Sequence, residues 1–330
     1  MKIALLGSKD YDSLEYHLSD ALSFLGYKLF HIDVKDVINI PYKYNYWAQK
    51  FFRRYDEYIF NKIADRIIDE QPDLLICTYR FINPFSIIKI KKQIKNIKII
   101  HINPDQLTTF ENQQIFATPY DAYFTKDPFI VDFMKNKMGL NAFYLPEACN
   151  VRIHKPFEYD RADLENKINT DVVAFGTMYP YRANMIGKLI EKDINVKLYG
   201  TPDNRFPKKE ITDHFQNEFI TGSRKAEILS GSKIVFNNFH YAEIKSVNAK
   251  FFEIAGIGGF QICDYKETLQ EYSALDVKDF TYKTIGEAIE LIKHYLPLAN
   301  LRHEMAKKQQ KHFHKYHSYE ERINYILECI

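Results

Sequence analysis

The 330-residue chain has only four cysteines and almost no net charge. It also has no apolar run approaching the roughly 18 residues that a membrane-crossing helix needs. Each shortage excludes a class. Cys77, Cys149, Cys263 and Cys329 are widely spaced and mostly in apolar settings. That pattern suits reduced core thiols and gives neither a disulfide frame nor a zinc site. Lys plus Arg number 45 against 43 Asp plus Glu, so no strong field points to nucleic acid. No internal repeat or low-complexity tract occurs. The opening run Met1–Gly7 is too short for a signal peptide and meets Asp10 and Asp12 at once, so a cytoplasmic setting is expected.

What is present is an ordinary globular composition, with 46% hydrophobic and 27% charged residues, enough for two α/β domains. Strand-like apolar runs alternate with helix-period segments, the pattern of parallel βαβ units. Strands are expected at Lys2–Leu6, Lys28–Ile32, Asp73–Thr78, Ile97–Ile102, Asp121–Thr125 and Ala142–Leu145. The pattern starts again with strands at Asp171–Phe175, Asn195–Tyr199 and Lys233–Asn237. Residues 1–150 read as a first Rossmann-like domain, 151–169 as a polar linker and 170–315 as a second such domain. Residues 316–330 read as a helix crossing back onto the first. The expected architecture is two doubly wound sheets facing across a cleft, with ligands beyond the carboxyl ends of their strands.

The densest signal runs from Ser246 through Val247, Asn248, Ala249, Lys250 and Glu253 to Asp264. It reads as loop, short helix, glycine break and strand, placed after an apolar strand. A helix starting at a strand end presents unpaired N–H groups and a positive dipole end to an anion. Lys250 adds a cation there. Glu253, one turn on, is placed to accept hydrogen bonds from a sugar hydroxyl, or else sits on the wet face of the helix. The arrangement suits a nucleotide diphosphate. Arg182 is a second candidate cation; for both, the alternative is a solvated surface residue. Gly176, Gly200 and Gly222 flank strand ends, where glycine admits close approach of a ligand. Thr177 follows Gly176, and Tyr179 and Tyr199 offer rings for stacking on a base or sugar, or for ordinary packing.

In the first half, Gly7, Ser8 and Asp12 form a loop after the first strand and a candidate acceptor-side lip. His101 and Asp105 follow the apolar run Ile97–Ile100 and are candidates to deprotonate an acceptor hydroxyl in a transfer that inverts configuration. His303, His312, His314 and His317 cluster in sequence, but His312 and His314 fall on different helix faces and nothing completes a metal-ligand spacing. A solvated or structural role is expected for these histidines. The stretch Tyr42–Trp47 with Phe51–Arg54 mixes aromatics and cations, as a packed amphipathic helix or a weak membrane-surface contact would.

The second half resembles a known family. Asp171–Arg182 resembles the strand followed by G-[ST]-x-Y-x-x-R of the carboxyl-terminal domain in CgeB-type glycosyltransferases, the spore-maturation group. Val196–Gly200 resembles its second strand, Asn248–Glu253 its N-x-R-x-F-E, and His317–Arg322 its terminal H-T-Y-x-x-R. The similarity spans about residues 145–325. It implies a GT-B fold, with the acceptor held by the first domain and the nucleotide-sugar by the second, and no resident metal. The product would be a glycan, a lipid-linked glycan or a glycosylated protein, as in making cell-surface polysaccharide. Three positions depart from the pattern. Lys250 stands where Arg is usual, Ser318 where Thr is, and Lys245 where retaining relatives carry a second Glu, with Glu243 out of register. The alternatives are a nucleotide-sugar epimerase of similar form and a non-catalytic nucleotide- or sugar-binding protein.

Overall fold

The structure is a computed structural model and describes residues 1–38, 40–103, 105, 113–203 and 208–330, with backbone only at 42, 43 and 113. It divides into two compact units. One comprises Met1–Pro146 with Tyr319–Ile330, the other Glu147–Ser318.

The first unit is built on six parallel strands: β1 (Lys2–Leu6), β2 (Lys28–Ile32), β3 (Leu74–Cys77), β4 (Lys98–Asn103), β5 (Ala122–Thr125) and β6 (Ala142–Tyr144). Their order is β2-β1-β3-β4-β5-β6. The chain leaves β1 toward one edge and then continues from β1's other side, so the switch point lies between β1 and β3. Its helices are α1 (Leu14–Phe24), α2 (Tyr42–Phe51), α3 (Arg53–Glu70), α4 (Pro84–Gln93), α5 (Gln113–Ala117) and α6 (Pro128–Asp132). β3 is buried throughout, as a strand covered on both faces must be. Ile59, Phe60, Ile63, Ala64 and Ile67 form the buried stripe of α3 and pack into the same core.

The second unit carries α7 (Arg161–Ile168), β7 (Val172–Phe175), α8 (Pro180–Ile190), β8 (Val196–Tyr199), α9 (Lys209–Thr212), α10 (Gly222–Gly231) and β9 (Ile234–Asn237). It continues with α11 (Ala249–Ile257), β10 (Gln261–Asp264), α12 (Leu269–Tyr272), β11 (Thr281–Tyr282), α13 (Ile285–Tyr295) and α14 (Ala299–Tyr316). The five strands are parallel, in the order β11-β10-β9-β7-β8. Its switch point falls between β7 and β9. Alternation along β7 sorts the two faces. Val172 and Ala174 enter a core with α8, α13 and α14, while Val173 and Phe175 enter one with α7, α10 and α11.

The segment expected as a linker carries α7. Asp160 accepts hydrogen bonds from the Ala162 and Asp163 N–H groups, capping the helix. Leu164 and Ile168 bury against α10 so closely that a Cβ on Gly231 would lie 2.5 Å from Ile168. The last helix, α15 (Tyr319–Glu328), starts after a break at His317–Ser318 and belongs to the first unit. There the Tyr319 ring stacks on His17 of α1 with centroids 5.2 Å apart, and Arg322 donates to the Pro146 carbonyl at 3.0 Å.

Candidate active site

The second unit's switch point gathers the sequence candidates. β7 ends at Phe175 and the chain turns at Gly176, whose φ of +97° suits glycine. Gly200, at the end of β8, also has positive φ, and its backbone lies against Gly176. A Cβ at Gly200 would sit 2.6 Å from the Gly176 carbonyl oxygen. No side chain fits between these two strand ends.

Two cations border that turn. Arg182, in the first turn of α8, is 5% exposed. Its Nε donates to Asn238 Oδ1 at 2.8 Å, Nη2 to the Asn238 carbonyl at 3.0 Å and Nη1 to the Thr177 carbonyl at 2.7 Å. The guanidinium thus ties the loop after β7 to the end of β9 across the switch point. Lys250 comes from the first turn of α11. Its ammonium donates to the Phe175 carbonyl at 3.2 Å and lies over the Phe175 ring. The place a Cβ on Gly176 would take is 3.6 Å from Lys250 Nζ and 3.9 Å from Arg182 Nη1. Burial first, then repulsion from Arg182, pushes Lys250 down from 10.5 to about 7. Two like charges are therefore held beside a space that an anion would relieve.

The start of α11 is ordered by amides. Asn248 caps it, accepting from the Phe251 N–H at 3.0 Å. The same side chain exchanges hydrogen bonds with Asn237, the last residue of β9. Ser246 and Val247 before it are buried, and Ala249 begins the helix half-buried. Glu253, one turn beyond Lys250, pairs with Lys225 of α10 at 3.1 Å, with side chains 13% and 7% exposed. Lys225 follows Gly222, whose φ of +52° opens α10. The sequence marks Lys225 only as one of two adjacent cations, and its burial has no sequence signature.

Other candidates are placed differently. Tyr199 is 4% exposed with its ring in the core, so it offers no stacking face. Thr177 is exposed, and Tyr179 is exposed with its ring edge-on to His240, 5.2 Å away.

In the first unit, Gly7 follows β1 at the switch point. A Cβ there would fall 2.3 Å from both Glu15 and Thr78, whose hydroxyl donates to Glu15 at 2.6 Å. Ser8 is half-buried and accepts from the Asp10 N–H. Asp12 has a φ of +66° and its carboxylate lies 3.1 Å from His17 Nε2. His101 lies inside β4, buried, with Nε2 facing the Tyr79 carbonyl at 3.1 Å. Burial pushes its imidazole down to about 4, so it is neutral. Asp105 is exposed and lies 3.2 Å from Arg80 Nη1. Pro104 next to it, and the side chains of Tyr42 and Lys43, lie outside the described residues. Of the four clustered histidines, His303 meets Glu165 at 2.8 Å, while His314 faces the His154 and Gly256 carbonyls.

Both halves of the chain resemble known proteins. Residues 182–328 match a family described as glycosyl transferase-like, and residues 12–142 match monogalactosyldiacylglycerol (MGDG) synthase. No curated protein matches the chain. Among solved structures, sucrose-phosphate synthase from Thermosynechococcus elongatus superposes with a TM-score of 0.71 at 10% identity, over 99% of this chain and 97% of that one. The T4 phage BGT, in complex with its UDP-glucose substrate, gives 0.56 at 12% identity, over 100% and 99%. The lipopolysaccharide outer core galactosyltransferase WaaB gives 0.57 at 12% identity over the whole of both chains. The fold is GT-B, and with the glycosyl transferase-like match it defines the class: the chain is a glycosyltransferase. No helix among the described residues is long and apolar enough to cross a membrane.

Proposed function

We propose that this enzyme moves a sugar from a nucleotide diphosphate-sugar onto a hydroxyl acceptor in the cytoplasm, as a CgeB-type transferase, without a resident metal. The observation that carries the reading is the convergence of Arg182 and Lys250 on the Gly176 turn. In transfer, the bond from the anomeric carbon to the donor phosphate breaks and a bond to the acceptor oxygen forms. The acceptor hydroxyl loses its proton, and negative charge collects on the departing diphosphate. Buried Arg182, half-buried Lys250 and the N-terminus of α11 supply the stabilisation that this charge requires. Arg182 keeps its donors on Thr177 and Asn238, so its part is a fixed positive field, while Lys250 makes the closer contact. Glu253 would accept from a ribose hydroxyl, with Lys225 fixing its orientation.

A lipid or lipid-linked acceptor is favoured over protein, because the match over residues 12–142 is to a synthase whose printed product is a galactolipid. Asp105, an exposed carboxylate beyond β4, is the candidate base for the acceptor. The test is to incubate the full chain with a panel of UDP-, GDP- and ADP-sugars, with and without diacylglycerol vesicles, and to follow nucleoside diphosphate release. Release that rises with acceptor, and survives EDTA, supports the proposal. Isomerised donor would point to an epimerase, and saturable binding without turnover to a binding protein.

A further inference from the structure

A cavity of about 300 Å³ opens in the second unit at the far end of α11 from Lys250. Its walls include Phe157, Tyr159, Arg161, His303, Lys307 and Gln310. Gly258, the residue closing α11 in the left-handed conformation, also lines it. The nine residues of α11 put about 13 Å between this cavity and the first turn of the helix, so the two places are separate.

The charges around the cavity do not balance. Glu165 spends one oxygen on Arg302 and the other on His303, each at 2.8 Å. Arg161 stands off the same carboxylate at 4.0 Å. It gives Nη1 to the Gly258 carbonyl, a cation at a helix C-terminus, which accounts for one donor group. Its Nε and Nη2 are buried and make no hydrogen bond. Leaving such donors unmet is costly inside a protein. Burial also draws the guanidinium down to about 10, the direction expected of a cation short of counter-charge. Lys307 adds a further exposed cation at the wall. Asp160, the nearest acid in sequence, caps α7. Pro156, Phe157, Tyr159 and Leu164 give the cavity an apolar and aromatic side, and Ser230 and Gln310 are neutral polar walls.

We propose that this cavity is a second ligand site that takes a small anion with a flat aromatic body, an aromatic carboxylate. The carboxylate would pair with Lys307 and with the Arg161 guanidinium, which turns from the Gly258 carbonyl to bring its covered donors to the cavity, and the ring would lie against Phe157 and Tyr159. A planar carboxylate matches the fork of an arginine better than a spherical anion does.

The test uses the full chain and isothermal titration calorimetry with naphthalene-1-acetate, set against the neutral naphthalene-1-acetamide of the same shape. The acid should bind saturably and the amide about tenfold more weakly or less. Arg161→Gln should weaken the acid about tenfold and the exposed Lys307→Gln about threefold, while Lys250→Ala leaves it unchanged. Should Arg161→Gln fail to fold, Lys307→Gln and the acid–amide contrast decide. Absence of saturable binding, equal affinity for acid and amide, or loss in Lys250→Ala in place of the cavity variants overturns the proposal.

Discussion

Lys250 reaches back from the first turn of α11 to the carbonyl of Phe175, the last residue of β7, 3.2 Å away. The contact sets an ammonium beside Arg182 in a site dense enough to hold it near pH 7. A bound diphosphate favours the protonated form, so binding takes up a proton. Affinity for UDP, or whichever nucleoside diphosphate the donor panel selects, should fall as pH rises from about 7 to 9, by up to about tenfold per unit. Lys250→Met should lower affinity roughly 10- to 100-fold at pH 6.5 and flatten the profile. Lys250→Arg, charged at every accessible pH, should flatten it while keeping more of the affinity. In the free chain the sign for folding is opposite. Unfolded lysine holds its proton up to about 10.5, so the Lys250 contribution to stability rises with pH between about 7 and 10.5. Calorimetry across pH checks the first trend and urea titration the second.

Glu253 and Lys225 form a pair nearly out of solvent. Removing one partner takes this ion pair from a charge that is nearly out of solvent. Glu253→Gln should cost about 3 kcal/mol of stability, and Lys225→Met with Glu253→Gln should recover most of it. Donor affinity separates the two roles. If the double variant regains stability but binds nucleoside diphosphate as tightly as the parent, Glu253 holds no ribose.

Much of this fold is legible in the sequence because the strands are short apolar runs closed by polar turns. Lys2–Leu6 and Lys28–Ile32 read to the residue. α7 does not show itself, because Leu164 and Ile168 are only two apolar positions among charges. Its helical state depends on α10 lying beneath it. Tyr199 looks like a stacking residue at a strand end. The pleat turns it inward, which the sequence alone does not show for a strand covered on both faces. Lys225 is invisible for the converse reason: an adjacent Arg224 makes it look solvated, yet it is the lysine that the helix turns toward Glu253. Arg182, Lys250 and Asn248 were readable as candidates since each stands at the cap or in the first turn of a helix that follows a strand.

The two facing glycines separate strain from access. At Gly176 an added Cβ meets nothing closer than 3.6 Å, so Gly176→Ala should cost only the strain of positive φ, about 1–2 kcal/mol. It would nevertheless fill the space between Lys250 and Arg182. At Gly200 the added Cβ meets backbone 2.6 Å away, which cannot move aside as a side chain can. Gly200→Ala should therefore be the more destabilising in urea titration, while Gly176→Ala loses more nucleoside diphosphate affinity per unit of stability lost. The reverse ranking would place the anion elsewhere than at the Gly176 turn.

His101 and Asp105 follow from the same strand but stand in opposite environments. His101 is buried and neutral down to about pH 4, whereas an unfolded histidine takes up its proton near 6.5. The unfolded chain therefore binds more protons between about pH 4 and 6.5. The His101 contribution is complete above 6.5 and is lost as pH falls toward 4. His101→Gln should flatten that part of the stability profile and leave transfer at pH 8 within about threefold of the parent, since an imidazole facing the Tyr79 carbonyl has no route to an acceptor. Asp105, exposed beside Arg80, is the contrasting case. Asp105→Asn should leave stability within about 0.5 kcal/mol, as surface changes do. Acceptor-dependent turnover should fall roughly 100-fold, the loss of a general base. A fall of that size in His101→Gln, with Asp105→Asn active, would move the base to the histidine and require β4 to open during transfer.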